Sequence, residues 1–150
     1  MRQKTWALIS DGVRARILRH LEDGDSHNPI ELVSKAKSTH LREYLSDKAG
    51  RSFASGGEGR RSAMEPGSDP VLRDMQDFAR ETLSVLEDNF REGHLTRLAV
   101  FAAPKMLGIL RREISATLSR AVILGRDLNL INLPETDLRD AVLRAIRKEP

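Results

Sequence analysis

The residues best suited to chemistry lie in a stretch rich in glycine and arginine in the middle of the chain. This stretch, GRSFASGGEGRRSA, spans residues 50–63 and contains three arginines against one acidic residue. Guanidinium groups bind phosphate oxygens in bidentate pairs, and the backbone N–H groups of a glycine turn supply further donors to an anion. The sequence therefore predicts phosphate or RNA binding by four basic residues, which are Lys48, Arg51, Arg60 and Arg61. Four further residues are predicted to shape the loop: Gly50, Gly56, Gly57 and Glu58.

The length of this loop, at about residues 46–69, leaves two interpretations open. Connections in compact domains have a median of about 4–6 residues, and longer ones are usually functional or disordered. Few apolar side chains are present to offset the entropy of ordering, so we expect the free loop to be flexible, above all at 51–66. It is either a phosphate-contacting element or a linker that its charges keep solvated.

The sequence contains only incomplete sets of the residues that other catalytic or metal-binding sites need. The chain has no cysteine, and neither a Gly-x-Ser-x-Gly elbow nor the phosphate-loop pattern of nucleoside triphosphatases occurs. Asp11 follows a predicted strand where a metal nuclease would place a carboxylate, but residues 100–104 of the fourth strand contain no acid. A non-enzymatic protein without metal or cofactor is favoured over a metal-dependent hydrolase. The histidines show no His-x-x-x-His spacing and are interpreted as surface or turn residues: His20, His27, His40 and His94.

Composition limits the class of protein. A chain of 150 residues with a formal net charge of +3 is expected to form one domain, residues 1–150, with a core of its own. The apolar run near the N-terminus, residues 6–9, is too short for a signal peptide or a membrane span. We therefore expect a cytoplasmic protein without a membrane partner; its oligomeric state stays open.

The hydrophobic pattern predicts the elements that position these residues. Three strands come first, and α-β-α-β-α follows the long loop. Two crossover units after a three-stranded meander predict an α/β fold, a three-layer α/β/α domain with a mixed five-stranded sheet in the order 3-2-1-4-5. This order matches the ribonuclease-H-like fold. The predicted strands are 5–10, 14–20, 30–36, 95–103 and 121–124, and the predicted helices begin at Pro70, at 107 (to 118) and at 134 (to 147).

Several stretches resemble the bacterial host attachment protein family, whose members are named as required for attachment to host cells. Residues 9–17, ISDGVRARI, resemble the family's ADGARARIF, and residues 46–53, SDKAGRSF, resemble its SDRPGRSF. The resemblance continues through AAPKMLGILR at 102–111, and at 126–128 the chain has Arg-Asp-Leu where the family commonly has Lys-Asp-Leu. It covers nearly the whole chain. The family-motif residues are Asp11, Gly12, Arg14, Arg16, Pro104, Gly108 and Asp127.

The host attachment family is in turn similar to the middle domain of archaeal and eukaryotic peptide-chain release factors and of Pelota. In release factors a Gly-Gly-Gln loop enters the peptidyl-transferase centre and promotes hydrolysis of peptidyl-tRNA. Here the corresponding triplet is Gly56-Gly57-Glu58, and glutamate repels phosphate and lacks the amide donors of glutamine. The resemblance therefore implies a non-enzymatic RNA- or ribosome-associated binding module with an indirect role in attachment. The alternative is a protein-interaction domain that regulates attachment.

Overall fold

The computed structural model describes residues 3–24, 27–35 and 69–148. Within these ranges the chain forms a five-stranded sheet in the order β3-β2-β1-β4-β5. β1 pairs antiparallel with β2 and parallel with β4, β2 pairs antiparallel with β3, and β4 pairs parallel with β5. The predicted mixed sheet and its strand order are therefore confirmed. The strands are β1 (Thr5–Ser10), β2 (Arg14–Leu18), β3 (Ile30–Val33), β4 (Arg97–Ala102) and β5 (Val122–Asp127).

The longest helix, α1, begins and ends at the signals that the sequence carries. The Asp69 carboxylate accepts hydrogen bonds from the backbone N–H groups of Val71 and Leu72 at 3.0 and 3.2 Å, and Pro70 occupies the first turn. Gly93, with φ of 80°, ends the helix as predicted. The helical segments are a 3-10 turn (Leu21–Asp23), α1 (Pro70–Arg91), α2 (Pro104–Glu113), α3 (Ala116–Ser119) and α4 (Glu135–Lys148).

The single helix predicted over 107–118 is wrong, because two helices occupy the region. α2 already begins at Pro104, and after Glu113 the backbone of Ile114 is extended, with ψ of 140°. The Ser115 hydroxyl then accepts a hydrogen bond from the N–H of Leu118 at 3.0 Å and caps the short α3. The serine offers the backbone an alternative partner to the helical carbonyls, which explains the break. The last predicted strand was also too short, since β5 continues to Asp127.

The helices cover both faces of the sheet, which confirms the three-layer arrangement. α1 and α2 pack on one face through side chains such as Met75, Phe78 and Ile109, against Trp6 and Leu8 of β1. On the other face, α4 packs through its apolar side onto the residues of β1 and β4 that point that way. The ribonuclease-H-like assignment and the treatment of residues 1–150 as one domain stay predictions. No helix in the described part of the chain is long and apolar enough to cross a membrane.

One edge of the sheet collects most of the predicted motif residues, and we call it the carboxyl edge. β1, β4 and β5 are parallel, and β3 runs in the same direction because both β3 and β1 are antiparallel to β2. All four strands therefore end at this edge. α2 begins there directly after β4, and α1 begins there too, since Met75 in its second turn touches Gly12 just beyond β1.

Candidate functional site

The turn after β1 is built by Asp11 and Gly12. The Asp11 Oδ1 atom accepts hydrogen bonds from the backbone N–H groups of Val13 and Arg14, both at 2.9 Å. Gly12 has φ of +99°, and a Cβ added there would lie 2.8 Å from the terminal methyl carbon of Met75. The position therefore needs glycine for its backbone conformation and for close packing on α1. Asp11 acts as a turn-forming residue, as its place beside Gly12 predicts.

Arg14 and Arg16 project from β2 towards the connection between β5 and α4. The Arg16 guanidinium donates hydrogen bonds to the backbone oxygens of Ile131 and Leu133, at 3.2 and 2.6 Å, and its side chain is only 14% exposed. Arg14 is more exposed and donates to the side-chain oxygen of Asn132. Arg16 is therefore committed to holding residues 131–133 on the sheet, whereas part of Arg14 faces solvent.

The other three motif residues also lie on or near the carboxyl edge. Pro104 opens α2, and Asp127 is the exposed last residue of β5. Gly108 lies one turn into α2, where an added Cβ would meet its nearest neighbour, the Arg112 guanidinium, at an ordinary 3.9 Å. The fixed φ of Pro104 therefore explains the helix start, whereas packing among the described residues does not explain a glycine at position 108.

The carboxyl edge has features that favour anions. The N-termini of α1 and α2 both lie there; the Asp69 carboxylate already caps α1, whereas α2 has no acidic residue at its start. Ala103 precedes α2 without a polar side chain to cap it, and Arg73 and Lys105 are exposed on the first turns of the two helices. Helix N-termini carry a partial positive charge that attracts phosphate. The carboxylates of Asp69 and Asp127 oppose this trend, whereas one oxygen of Asp11 accepts the hydrogen bonds of the turn.

The predicted phosphate-binding residues lie outside the described residues, but the positions flanking them do not. Ser34 donates its backbone N–H to the oxygen of Val13 at 2.7 Å, which places the chain before residue 36 beside the Asp11–Gly12 turn. Asp69 begins α1 at the same edge. The described residues on both sides of the segment 36–68 therefore lie at the carboxyl edge. The roles predicted for these residues stay predictions: Lys48, Gly50, Arg51, Gly56, Gly57, Glu58, Arg60 and Arg61.

A comparison with protein families decides the affiliation of the chain. The family described as "Protein required for attachment to host cells" matches residues 6–142. The chain belongs to this family. No curated protein matches the chain. The resemblance to host attachment proteins is thus confirmed, while the similarity to release factors and Pelota stays a prediction.

This member of the host attachment family also contains a cluster that sequence reasoning missed. The imidazoles of His20 and His27 and the carboxylate of Asp23 place one ligand atom each within 4.8 Å of the others. Two histidines four residues apart have a familiar metal-ligand spacing, whereas here an aspartate lies between histidines seven residues apart. Asp11, in contrast, belongs to no group of three metal-ligating side chains among residues 3–24, 27–35 and 69–148.

A cavity of about 320 Å³ opens between α2 and the sheet. Its lining is mostly apolar, from residues such as Leu8, Leu83 and Val100, and the Arg111 guanidinium lies over Gly125 at its wall. One guanidinium and the Ser119 hydroxyl do not form a nucleophile–base pair or a set of metal ligands. The cavity therefore supplies no catalytic constellation.

Proposed function

We propose that this host attachment family protein binds RNA, as displayed on the ribosome, at the carboxyl edge of its sheet and affects attachment to host cells indirectly. One observation carries the proposal. The residues flanking the basic segment 36–68 lie at the same edge as the N-termini of α1 and α2. A segment anchored there and carrying Arg51, Arg60 and Arg61 would add its charges to those of the edge itself.

Electrostatics supports a phosphate-bearing partner over a neutral one. The N-terminus of α2, which no side chain caps, would attract phosphate together with Arg73 and Lys105, and the glycines of the segment would let its backbone approach a partner closely. Contacts of this kind release counterions, so binding should weaken steeply with salt. The proposal presupposes a cytoplasmic location.

The proposal is of binding and not of hydrolysis. The Asp11 Oδ1 atom already accepts two backbone hydrogen bonds, and among the described residues no further pair of metal ligands accompanies it. Glu58 lacks the amide donors of the release-factor glutamine. A hydrolase would need groups that this edge does not provide in the described part of the chain.

Co-sedimentation with ribosomes over a salt series tests the proposal. We expect binding that falls linearly on a log–log scale with salt, and a shallower slope in Arg51→Ala, Arg60→Ala and Arg61→Ala. Arg147→Ala is the matched control, because this exposed residue lies in the last turn of α4, at the opposite end of the helix from the connection to β5. An equal effect of the control, or the absence of any salt-dependent binding, would refute the RNA proposal.

A protein-interaction domain is the second candidate, and one observation favours it. β5 is an edge strand and exposes Ile123 at 38%, with Leu128 just after it at 41%. An edge strand with apolar side chains can pair with a strand of a partner. Binding to a protein partner that is insensitive to salt, and is lost in Ile123→Lys but kept in Arg60→Ala, would favour this candidate.

A further inference from the structure

Two histidines and an aspartate surround a small cavity at the edge of the sheet opposite to the carboxyl edge. The His27 Nε2 atom lies 3.1 Å from the Asp23 Oδ2 atom, and the ring centroids of His20 and His27 are 4.4 Å apart. The cavity has a volume of about 130 Å³, and Gln3 and Lys4 complete its lining together with Glu22. It is large enough for an ion and several water molecules.

The backbone at the end of β2 creates this cluster. His20 adopts a left-handed conformation, with φ of 46° and ψ of 63°, and it is the only described residue other than glycine with a positive φ. A 3-10 turn follows, in which the Asp23 N–H donates to the His20 oxygen at 2.9 Å. The turn brings His20 and Asp23 together, and His27 reaches them from the next segment. Non-glycine residues held in this conformation occur preferentially at functional sites.

We propose that His20, Asp23 and His27 bind a divalent transition-metal ion of the zinc class. Imidazole is a preferred ligand of zinc, copper, nickel and iron, whereas calcium and magnesium prefer oxygen alone. Two imidazoles and one carboxylate leave at least one coordination position for water. In a tetrahedral zinc site the ligand atoms are about 3.4 Å apart, so atoms that all lie within 4.8 Å of one another need approach by no more than about 1.4 Å. The His27 side chain, which is 33% exposed, can supply such a shift by rotating.

The charges around the cluster are compatible with a cation. Burial, and next the nearby His27, lower the pKa of His20, and a metal ion requires the neutral imidazole. The negative charge of Asp23 raises the pKa of His20. The cations Lys4 and Arg19 also lie near His20. Lys4 donates a hydrogen bond to the backbone oxygen of Gly93 at 2.8 Å, and Arg19 donates one to that of Asn28 at 2.9 Å.

Glu22 adds a fixed negative charge rather than a ligand. Its carboxylate accepts hydrogen bonds from the backbone N–H of Thr5 at 2.8 Å and from the Thr5 hydroxyl. The geometry therefore leaves three side chains to bind the ion and one further carboxylate to offset the surrounding cations.

The single tryptophan of the chain reports on this site. Trp6 is buried, and its ring centroid lies 5.5 Å from that of His20 in an edge-to-face contact. Titration with Co²⁺ should quench Trp6 fluorescence in a saturable, one-site manner, and Zn²⁺ should reverse the quenching by competition. We expect His27→Ala to weaken Co²⁺ binding more than about 100-fold, since even the partners of metal ligands contribute 10–100-fold.

Two further variants keep the test decisive. His94→Ala is the matched control, because this histidine lies beyond α1 and contacts Asn89; it should bind Co²⁺ as the unchanged protein does. Asp23→Asn preserves the size of the side chain and should weaken binding if His27→Ala proves unstable. Non-saturable quenching, equal affinity in His27→Ala and Asp23→Asn, or a loss confined to His94→Ala would each overturn the proposal.

Discussion

Replacement of Asp11 by alanine should destabilise the fold without removing a catalytic group. The change takes away the acceptor of two backbone hydrogen bonds, from the N–H groups of Val13 and Arg14 at 2.9 Å each. Water can hydrogen-bond to the N–H group of the exposed Arg14 in place of the carboxylate, but it reaches the N–H group of the partly buried Val13 less completely. A comparable loss at a helix N-cap costs about 0.5–2 kcal/mol. We therefore expect the free energy of unfolding to fall by about 1–2 kcal/mol.

Urea unfolding followed through the fluorescence of Trp6 measures this effect. Asp11→Asn keeps a side-chain oxygen and should lose less than half as much, which separates the hydrogen bonds from the charge. Asp140→Ala removes an exposed carboxylate on α4 and should stay within about 0.5 kcal/mol of the unchanged protein. An Asp11→Ala protein of full stability that no longer binds RNA would refute the reasoning and place the site at Asp11.

Three further changes test other residues. Gly108→Ala should raise the free energy of unfolding by about 0.5–1 kcal/mol, measured by thermal unfolding, because an added Cβ has room inside α2. Asp127→Ala should tighten ribosome co-sedimentation by removing a negative charge from the carboxyl edge; weaker binding would contradict an RNA partner. Because the folded state lowers the pKa of His20, the unfolded chain binds more protons, so stability should fall as pH drops through 6.5; His20→Asn should flatten this dependence in urea unfolding.

The elements that the sequence predicted well carry local signals. α1 combines a regular apolar stripe with Asp69 and Pro70 at its start and Gly93 after its end, so its limits follow from residues that are neighbours in the chain. The break between α2 and α3 was missed because Leu118 stays in phase with the stripe of α2. Periodicity cannot detect a break between two helices when the apolar residues after the break stay in phase with those before it. Ser115, which caps the second helix, was the signal that could have revealed it.

The candidate sites were likewise predictable only where their contacts join residues that are close in the sequence. The Asp11 turn was predictable, because its hydrogen bonds reach only two and three residues along the chain. The role of Arg16 was not, since its acceptors at Ile131 and Leu133 are more than a hundred residues away. The histidine cluster is local in sequence, but it depends on the left-handed backbone of His20, which no residue pattern indicates.

The residues on which the family resemblance rests are mainly architectural. Asp11 and Gly12 form the turn after β1, Arg16 fastens the chain before α4, and Pro104 begins α2. Each of these roles shapes the carboxyl edge, so their presence argues for a well-defined edge and not for any particular chemistry. Under the proposed function, recognition of a partner depends instead on what the edge carries: the N-terminus of α2, the exposed cations and the basic segment between residues 35 and 69. For this reason the salt dependence of binding, rather than the loss of function in a turn variant, distinguishes RNA from a protein partner.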